Sequence, residues 1–460
     1  MLNHNSLSYK FEQFLLIFII LQPIIDLLTS FCILELKIDA TVGVITRLFV
    51  MALGGIYILT QARVKENRKY IIYLLGLGIV LGLGFLNNKM IKHPMLQMED
   101  LKFIAKALYP FVMISCYILV FKSLKMKETM HTKMRNYIAY AALIINVTMV
   151  AAIATGTDYN SYDYFKEGSR GWFFAGNELG SILAIICPVV VLYSIEKTTS
   201  LAKSYFWIPS ILIIFSLFAI GTKVGAGAIV CTFVIAVFMC FIQAFLQRKE
   251  RNKKPYLLNG LIATVILVGI AGYFPSSPIY KNTGISHKVF KLQEAERQQK
   301  NHVKQEETVK GTEKTKEEEK KAETQAIIFS GRELFMQTYK DFYKQAPMSQ
   351  KLLGMGYGGN LKDISELKII ERDFHDWFYT FGIIGFIFLM IPFLYYGLRI
   401  LMVLITRFRE VFTVKYALLA AGLGLALGIA FTAGHVLTAP GVSIYFVVLL
   451  AYLIVDLEIE

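Results

Sequence analysis

Residues 205–250 read YFWIPSILIIFSLFAIGTKVGAGAIVCTFVIAVFMCFIQAFLQRKE. Between Lys203 and Arg248 the only charged side chain is Lys223, in the turn GTKVGAG that parts apolar runs at 205–221 and 224–246. About 20 apolar residues of helix cross a bilayer, and each run approaches that length. Only helices or closed barrels satisfy their backbone in lipid. Both runs are continuous rather than alternating, so this stretch reads as a helical hairpin through a membrane. Its polar turn is so short that Lys223 must sit at the membrane surface.

The pattern repeats outward in both directions. Spanning helices are predicted near 14–34, 42–60, 70–86, 104–121, 136–155, 179–195, 205–221, 224–246, 256–274, 376–397, 413–431 and 436–455. The fold class is therefore all-α, a polytopic membrane protein with about twelve transmembrane helices. Of the 460 residues, 55% are hydrophobic, and the mean hydropathy is +0.51. A soluble chain of this length has no way to bury that much apolar surface. The first apolar run lacks a small-residue cleavage site and reads as an uncleaved helix.

The net charge of +14 is explained by orientation, not by a nucleic-acid partner. Alternate connections carry twenty-one Lys and Arg residues, against seven on the short connections of the other side. By the positive-inside rule both termini lie in the cytoplasm. All five cysteines fall inside apolar runs, as small buried side chains do. The chain thus divides into a helical part at 1–274, an extracytoplasmic loop at 275–375 and a second helical part at 376–460.

The loop has two characters. Residues 288–323 hold ten basic and nine acidic side chains and few apolar ones, so this stretch is disordered or a solvated single helix. Residues 327–359 carry aromatic and aliphatic side chains at helical spacing and end in a Gly-rich turn. They predict an amphipathic helix of about 15 residues over the membrane mouth, then a flexible turn.

Five side chains on the outer side stand out. Arg47 sits inside the second helix, where an ionisable group is a functional candidate. Asp26 lies at similar depth in the first helix, so Arg47 is either half of an ion pair or a ligand contact. Arg170 lies in SRGWFFAGNELG, Lys223 in GTKVGAG, Arg332 in SGRELF and His375 in RDFHDWFYTFGIIG. Arginine offers a bidentate fork and lysine a point charge to a diphosphate. A histidine suits removal of a proton from a hydroxyl. His287 and His302 lie apart in the charged stretch, and no metal-ligand spacing appears on this side, so no metal and no cofactor are expected.

The order of LQPIIDLLTSF, WFFAGNELGSIL, GTKVGAGAI, SGRELF, LLGMGYGGN and HDWFYTFGIIG along the chain resembles the O-antigen ligase and Wzy-type polysaccharide polymerase superfamily. The resemblance implies a metal-independent GT-C-type glycosyltransferase on the outer face of the cytoplasmic membrane. Its donor would be an undecaprenyl-diphosphate-linked oligosaccharide and its acceptor a glycan hydroxyl, with the lipid bilayer as the third partner. By position, Arg170, Lys223 and Arg332 match the basic residues that hold the diphosphate, and His375 matches the histidine that activates the acceptor. Asp376 follows the histidine where the family commonly has Asn, and Lys223 stands where Arg is frequent. Polymerase and ligase both fit, and a Lys/Glu-rich outer insert inclines the reading toward a wall-polysaccharide polymerase. A transporter or flippase of lipid-linked oligosaccharide is the alternative, though the two halves show no internal repeat.

Overall fold

The computed structural model describes residues 6–38, 41–93, 95–126, 128–162, 166–246, 253–284, 332–361 and 369–459. The charged stretch 288–323 and residues 327–331 lie outside the described residues. Nine helices come first: α1 Ser6–Leu34, α2 Val42–Gln61, α3 Arg68–Ile91, α4 Gln97–Lys125, α5 Met130–Thr155, α6 Gly176–Lys197, α7 Ile208–Ile220, α8 Lys223–Leu246 and α9 Lys253–Tyr273. After them come α10 Arg332–Gln345, α11 Met348–Leu353, α12 Asp373–Thr406, α13 Val414–Thr432 and α14 Pro440–Asp456.

Among the described residues, eleven helices are long and apolar enough to cross a membrane, against about twelve expected. The segment expected at 436–455 forms α14, which has 17 residues. Its start is displaced to Pro440 because residues 435–437 turn their N–H groups onto the Asp373 carboxylate instead of continuing a helix. Every residue of α14 from Pro440 to Val455 is buried, chiefly by α4 and α6. A helix enclosed on all sides by protein need not match the bilayer's thickness. α6 is the other enclosed helix, and these three elements form the centre of the bundle.

The connections gather at two ends. At one end Glu35 pairs with the Tyr159 hydroxyl, Asn282 joins residues 167 and 221, and Lys92 reaches Tyr357. At the other, Lys125 meets Glu458, Lys415 meets Asp456 and Arg407 donates to the Leu457 carbonyl.

The feature that shapes the first end is a break in α12. Gly382 leaves helical geometry there, with φ 68° and ψ −173°, so the carbonyls of Tyr379 and Thr380 turn outward. The backbone N–H groups of Met355 and Gly356 donate to them at 2.9 and 3.1 Å. The Gly-rich stretch after α11 is thus a strap docked against a broken helix, not the flexible turn expected from its composition. Asn88 donates to the Gly354 carbonyl at 3.0 Å, Lys92 to the Tyr357 carbonyl at 2.6 Å, and Asp100 accepts from the Tyr357 N–H at 2.6 Å. Backbone irregular within a membrane protein is tolerated when it is paired by protein in this way.

α10 is the amphipathic helix the spacing predicts. Its Tyr339 is buried against Tyr379, and Tyr343 packs edge-on to the same ring. The helix therefore rides on the first turns of α12 and is held by aromatic contact.

Gly354 has no room for a side chain: at φ 96° an added Cβ would lie 2.0 Å from the Thr380 carbonyl oxygen. G354A is expected to lose on the order of 2 kcal/mol or more, through strain and displacement of the strap. G78A, where an added Cβ meets nothing within 4 Å, is expected to be neutral or stabilising by up to about 1 kcal/mol. Thermal unfolding in detergent reads the difference. Equal melting temperatures for the two variants would contradict this account of the strap.

Candidate functional site

A cavity of about 650 Å³ opens beside the strapped end. Its floor is one face of α13, where Gly424, Leu425, Gly428 and Ile429 line the wall. Gly424 and Gly428 are four residues apart and so share a helix face, and an added Cβ at either meets nothing within 4 Å. The floor is therefore apolar and kept wide by missing side chains.

The roof is cationic. Lys223 opens α8 after a Gly221 backbone at φ 77°, and Thr222 Oγ1 accepts from the Gly225 N–H to cap the helix. Lys166 arrives on one limb of a hairpin whose described limbs, 159–162 and 166–171, are joined by mutual backbone bonds between Tyr159 and residues 170 and 171. That hairpin lies on the end of α7 through Ser169 N–H to the Ala219 carbonyl, 2.7 Å. Asn282 staples it by bonding both Glu167 and Gly221. Lys166 and Lys223 stand close enough for their ammonium groups to repel, and burial holds Lys166 below the usual lysine range. Arg332, the first residue of α10, adds a third cation. Asn177 and Ser181, near the N-terminus of α6, supply neutral polar groups.

Of the five residues singled out from sequence, Lys223 and Arg332 share this wall. Arg170, Arg47 and His375 are not part of it among the described residues. Arg170 lies in the hairpin that delivers Lys166, donates to the Phe174 carbonyl and stacks on Tyr159 and Phe174 with its carbon 5.9 Å from each ring. Arg47 is 4% exposed and pairs with Asp26 at 2.7 Å and Gln22 at 2.8 Å. Its guanidinium is walled by Gly43 and Gly441, where an added Cβ would fall within about 3 Å of it. The depth match between residues 26 and 47 was thus a contact.

His375 occupies the first turn of α12. Its ring lies 6.0 Å from that of Phe431, the residue preceding cavity-lining Thr432. Its Nδ1 is buried with no hydrogen-bond partner among the described residues. Arg372 runs beside it, stacked on Phe431 at 5.0 Å and donating to the Phe431 carbonyl.

The carboxylates of the same motif are structural. Asp376 accepts from the N–H groups of Ile370 and Arg372 at 3.0 and 2.9 Å, which caps α12 from within. Asp373 accepts from the N–H groups of residues 435, 436 and 437 and from the Thr438 hydroxyl at 2.6 Å. The aspartate at 376 is therefore spent on capping.

Sequence reasoning passed over Lys166, Asn282, Glu371 and His435. His435 lines the cavity from TAGHVLTAP, between α13 and α14. A scan for Lys and Arg misses that turn, because it carries neither. The available signal was a lone histidine after a glycine between two apolar runs.

A family model for O-antigen ligase-like membrane proteins matches residues 8–460. No curated protein and no solved structure matches the chain. The match runs from the first helix to the end of the sequence and takes in every element that builds the cavity. The chain therefore belongs to the O-antigen ligase-like membrane protein family, a multi-pass membrane protein whose family implies glycan transfer.

Proposed function

We propose that the protein transfers a glycan from an undecaprenyl-diphosphate-linked donor to an acceptor hydroxyl on the outer face of the cytoplasmic membrane. The observation that carries this reading is the two-sided cavity, with an apolar floor along α13 and three cations above it. An isoprenoid diphosphate is divided in the same way, with a hydrocarbon chain below and two phosphates above. Lys223, Arg332 and Lys166 hold the diphosphate. Their charge does what a divalent metal does in other diphosphate enzymes.

As the glycosidic C1–O bond breaks, its electron pair passes to the diphosphate oxygen. Contacts that strengthen at that moment lower the barrier, by about 3 kcal/mol per well-placed donor. His375 takes the proton of the incoming hydroxyl on the acceptor side, close to Phe431. Attack from the face opposite the diphosphate inverts the anomeric centre. Arg170 serves the donor side by fixing the hairpin that carries Lys166, and Arg47 keeps α1 and α2 together beneath the site. α10 and the strap exclude water, which would otherwise hydrolyse the donor. A polymerase and a ligase differ only in the acceptor; the proposed acceptor is a second wall-polysaccharide repeat.

Membranes containing each variant, supplied with lipid-linked glycan, test the assignment. K223A and R332A are expected to lower transfer about 10²–10³-fold, and H375A about 10²-fold or more. R170A should also impair transfer. Normal activity in both H375A and R170A at normal expression would refute the site. Lipid-linked donor moved across the membrane unchanged would mark a flippase instead. A separate check fills the floor: G428L is expected to abolish donor binding. It should leave the melting temperature unchanged or raised, since leucine favours a helix over glycine by about 0.8 kcal/mol.

A further inference from the structure

Two non-glycine residues beside the cavity have left-handed backbones, Glu371 at φ 60° and His435 at φ 63°. Such a conformation costs about 1–2 kcal/mol for a residue with a side chain, and it persists only where surroundings enforce it. Here the enforcement is visible. Asp373 binds the backbone N–H groups of residues 435–437 together with the Thr438 hydroxyl. Gly434, at φ 67°, presses on the Glu371 carbonyl so closely that an added Cβ would sit 2.5 Å from it. The two strained turns are thus clamped face to face.

The clamp presents an imidazole and a carboxylate to each other. His435 Nε2 lies 3.9 Å from Glu371 Oε2, beyond hydrogen-bond reach, and is buried with no hydrogen-bond partner among the described residues. The same Glu371 oxygen pairs with Arg332 at 3.1 Å. One carboxylate therefore faces two of the cavity's nitrogen groups at once. Other charged groups around His435 are Asp373 from α12, Glu178 from the first turn of α6, Lys223 from α8 and Lys166 from the hairpin.

We infer that His435 is a further diphosphate-binding residue, donating from its ring to the leaving diphosphate, with Glu371 as the counter-ion that the diphosphate replaces. The inference rests on the proposed transfer and deepens it. Glu371 is the carboxylate that faces Arg332 and His435 together. An entering diphosphate is a stronger competitor, having more charge and more acceptor oxygens than one carboxylate. The ring N–H then faces the oxygen that receives the electron pair of the broken C1–O bond. No proton needs to leave His435 for this; the hydroxyl proton still goes to His375.

Full-length protein in detergent and inorganic pyrophosphate as the probe are enough to test this by calorimetry. H435N keeps an N–H donor and suits the left-handed backbone. H435G removes the side chain where glycine is favoured, so folding is preserved by one variant if not the other. Wild type is expected to bind about tenfold more tightly than H435G, the size of one bond to a charged group. H435N, which keeps a donor, should fall between the two, and K223A should weaken binding as well. Binding by H435N and H435G equal to wild type, with K223A impaired, overturns the role of His435 and leaves the transfer proposal intact. No binding by wild type overturns both.

Discussion

A backbone carbonyl buried without a partner costs several kcal/mol in apolar surroundings, and α12 turns two of them outward where it breaks at Gly382. Everything on the strapped end follows from how that debt is met. Met355 and Gly356 donate to the two carbonyls, which requires the strap's backbone to touch the helix's backbone. Contact that close excludes any side chain at residues 354 and 382. Once the strap is fixed, α11 and α10 are fixed too, and Arg332 at the start of α10 is held at the cavity. A helix break in the middle of a span thus determines where a cation stands at its mouth.

Three buried aspartates at this end are engaged with backbone. Asp100 accepts from Tyr357, Asp376 caps its own helix and Asp373 gathers three N–H groups and a hydroxyl. Lys166, Lys223 and Arg332 concentrate positive potential in one cavity, with Glu371 as the carboxylate paired to Arg332 there. Like charges brought together at a cost in repulsion make a site that favours an anion.

How much of this was legible in sequence depended on the range of the signal. Helices were readable because each apolar run is local and its length is set by the bilayer. The Arg47–Asp26 pair was readable because equal depth in adjacent helices is arithmetic on rise per residue. The strap was misread, since the composition of LLGMGYGGN is that of a loose turn. What fixes it lies in α3, α4 and the break at Gly382, and none of these is near in sequence. The start of α14 was misplaced for a similar reason: Asp373 competes for its N–H groups from 62 to 64 residues away. Lys223 was legible because a cation in a short turn between two apolar runs is conspicuous, and Arg332 because it heads an amphipathic segment. His435 and Glu371 owe their significance to left-handed backbones, which leave no trace in residue spacing.

The first residues of α12 also explain how one short motif serves several parts of a site. Along 371–376 successive side chains go to different tasks. Glu371 faces Arg332 and His435, Arg372 stacks on Phe431, Asp373 holds the 435–438 turn, His375 lies against the Phe431 ring and Asp376 caps the helix. Phe431 is the common wall: Arg372 and His375 contact it, and the next residue, Thr432, lines the cavity. His375 and Arg372 reach Phe431 from the start of α12, and Asp373 ties that start to the 435–438 turn, so any movement of α12 carries these contacts together.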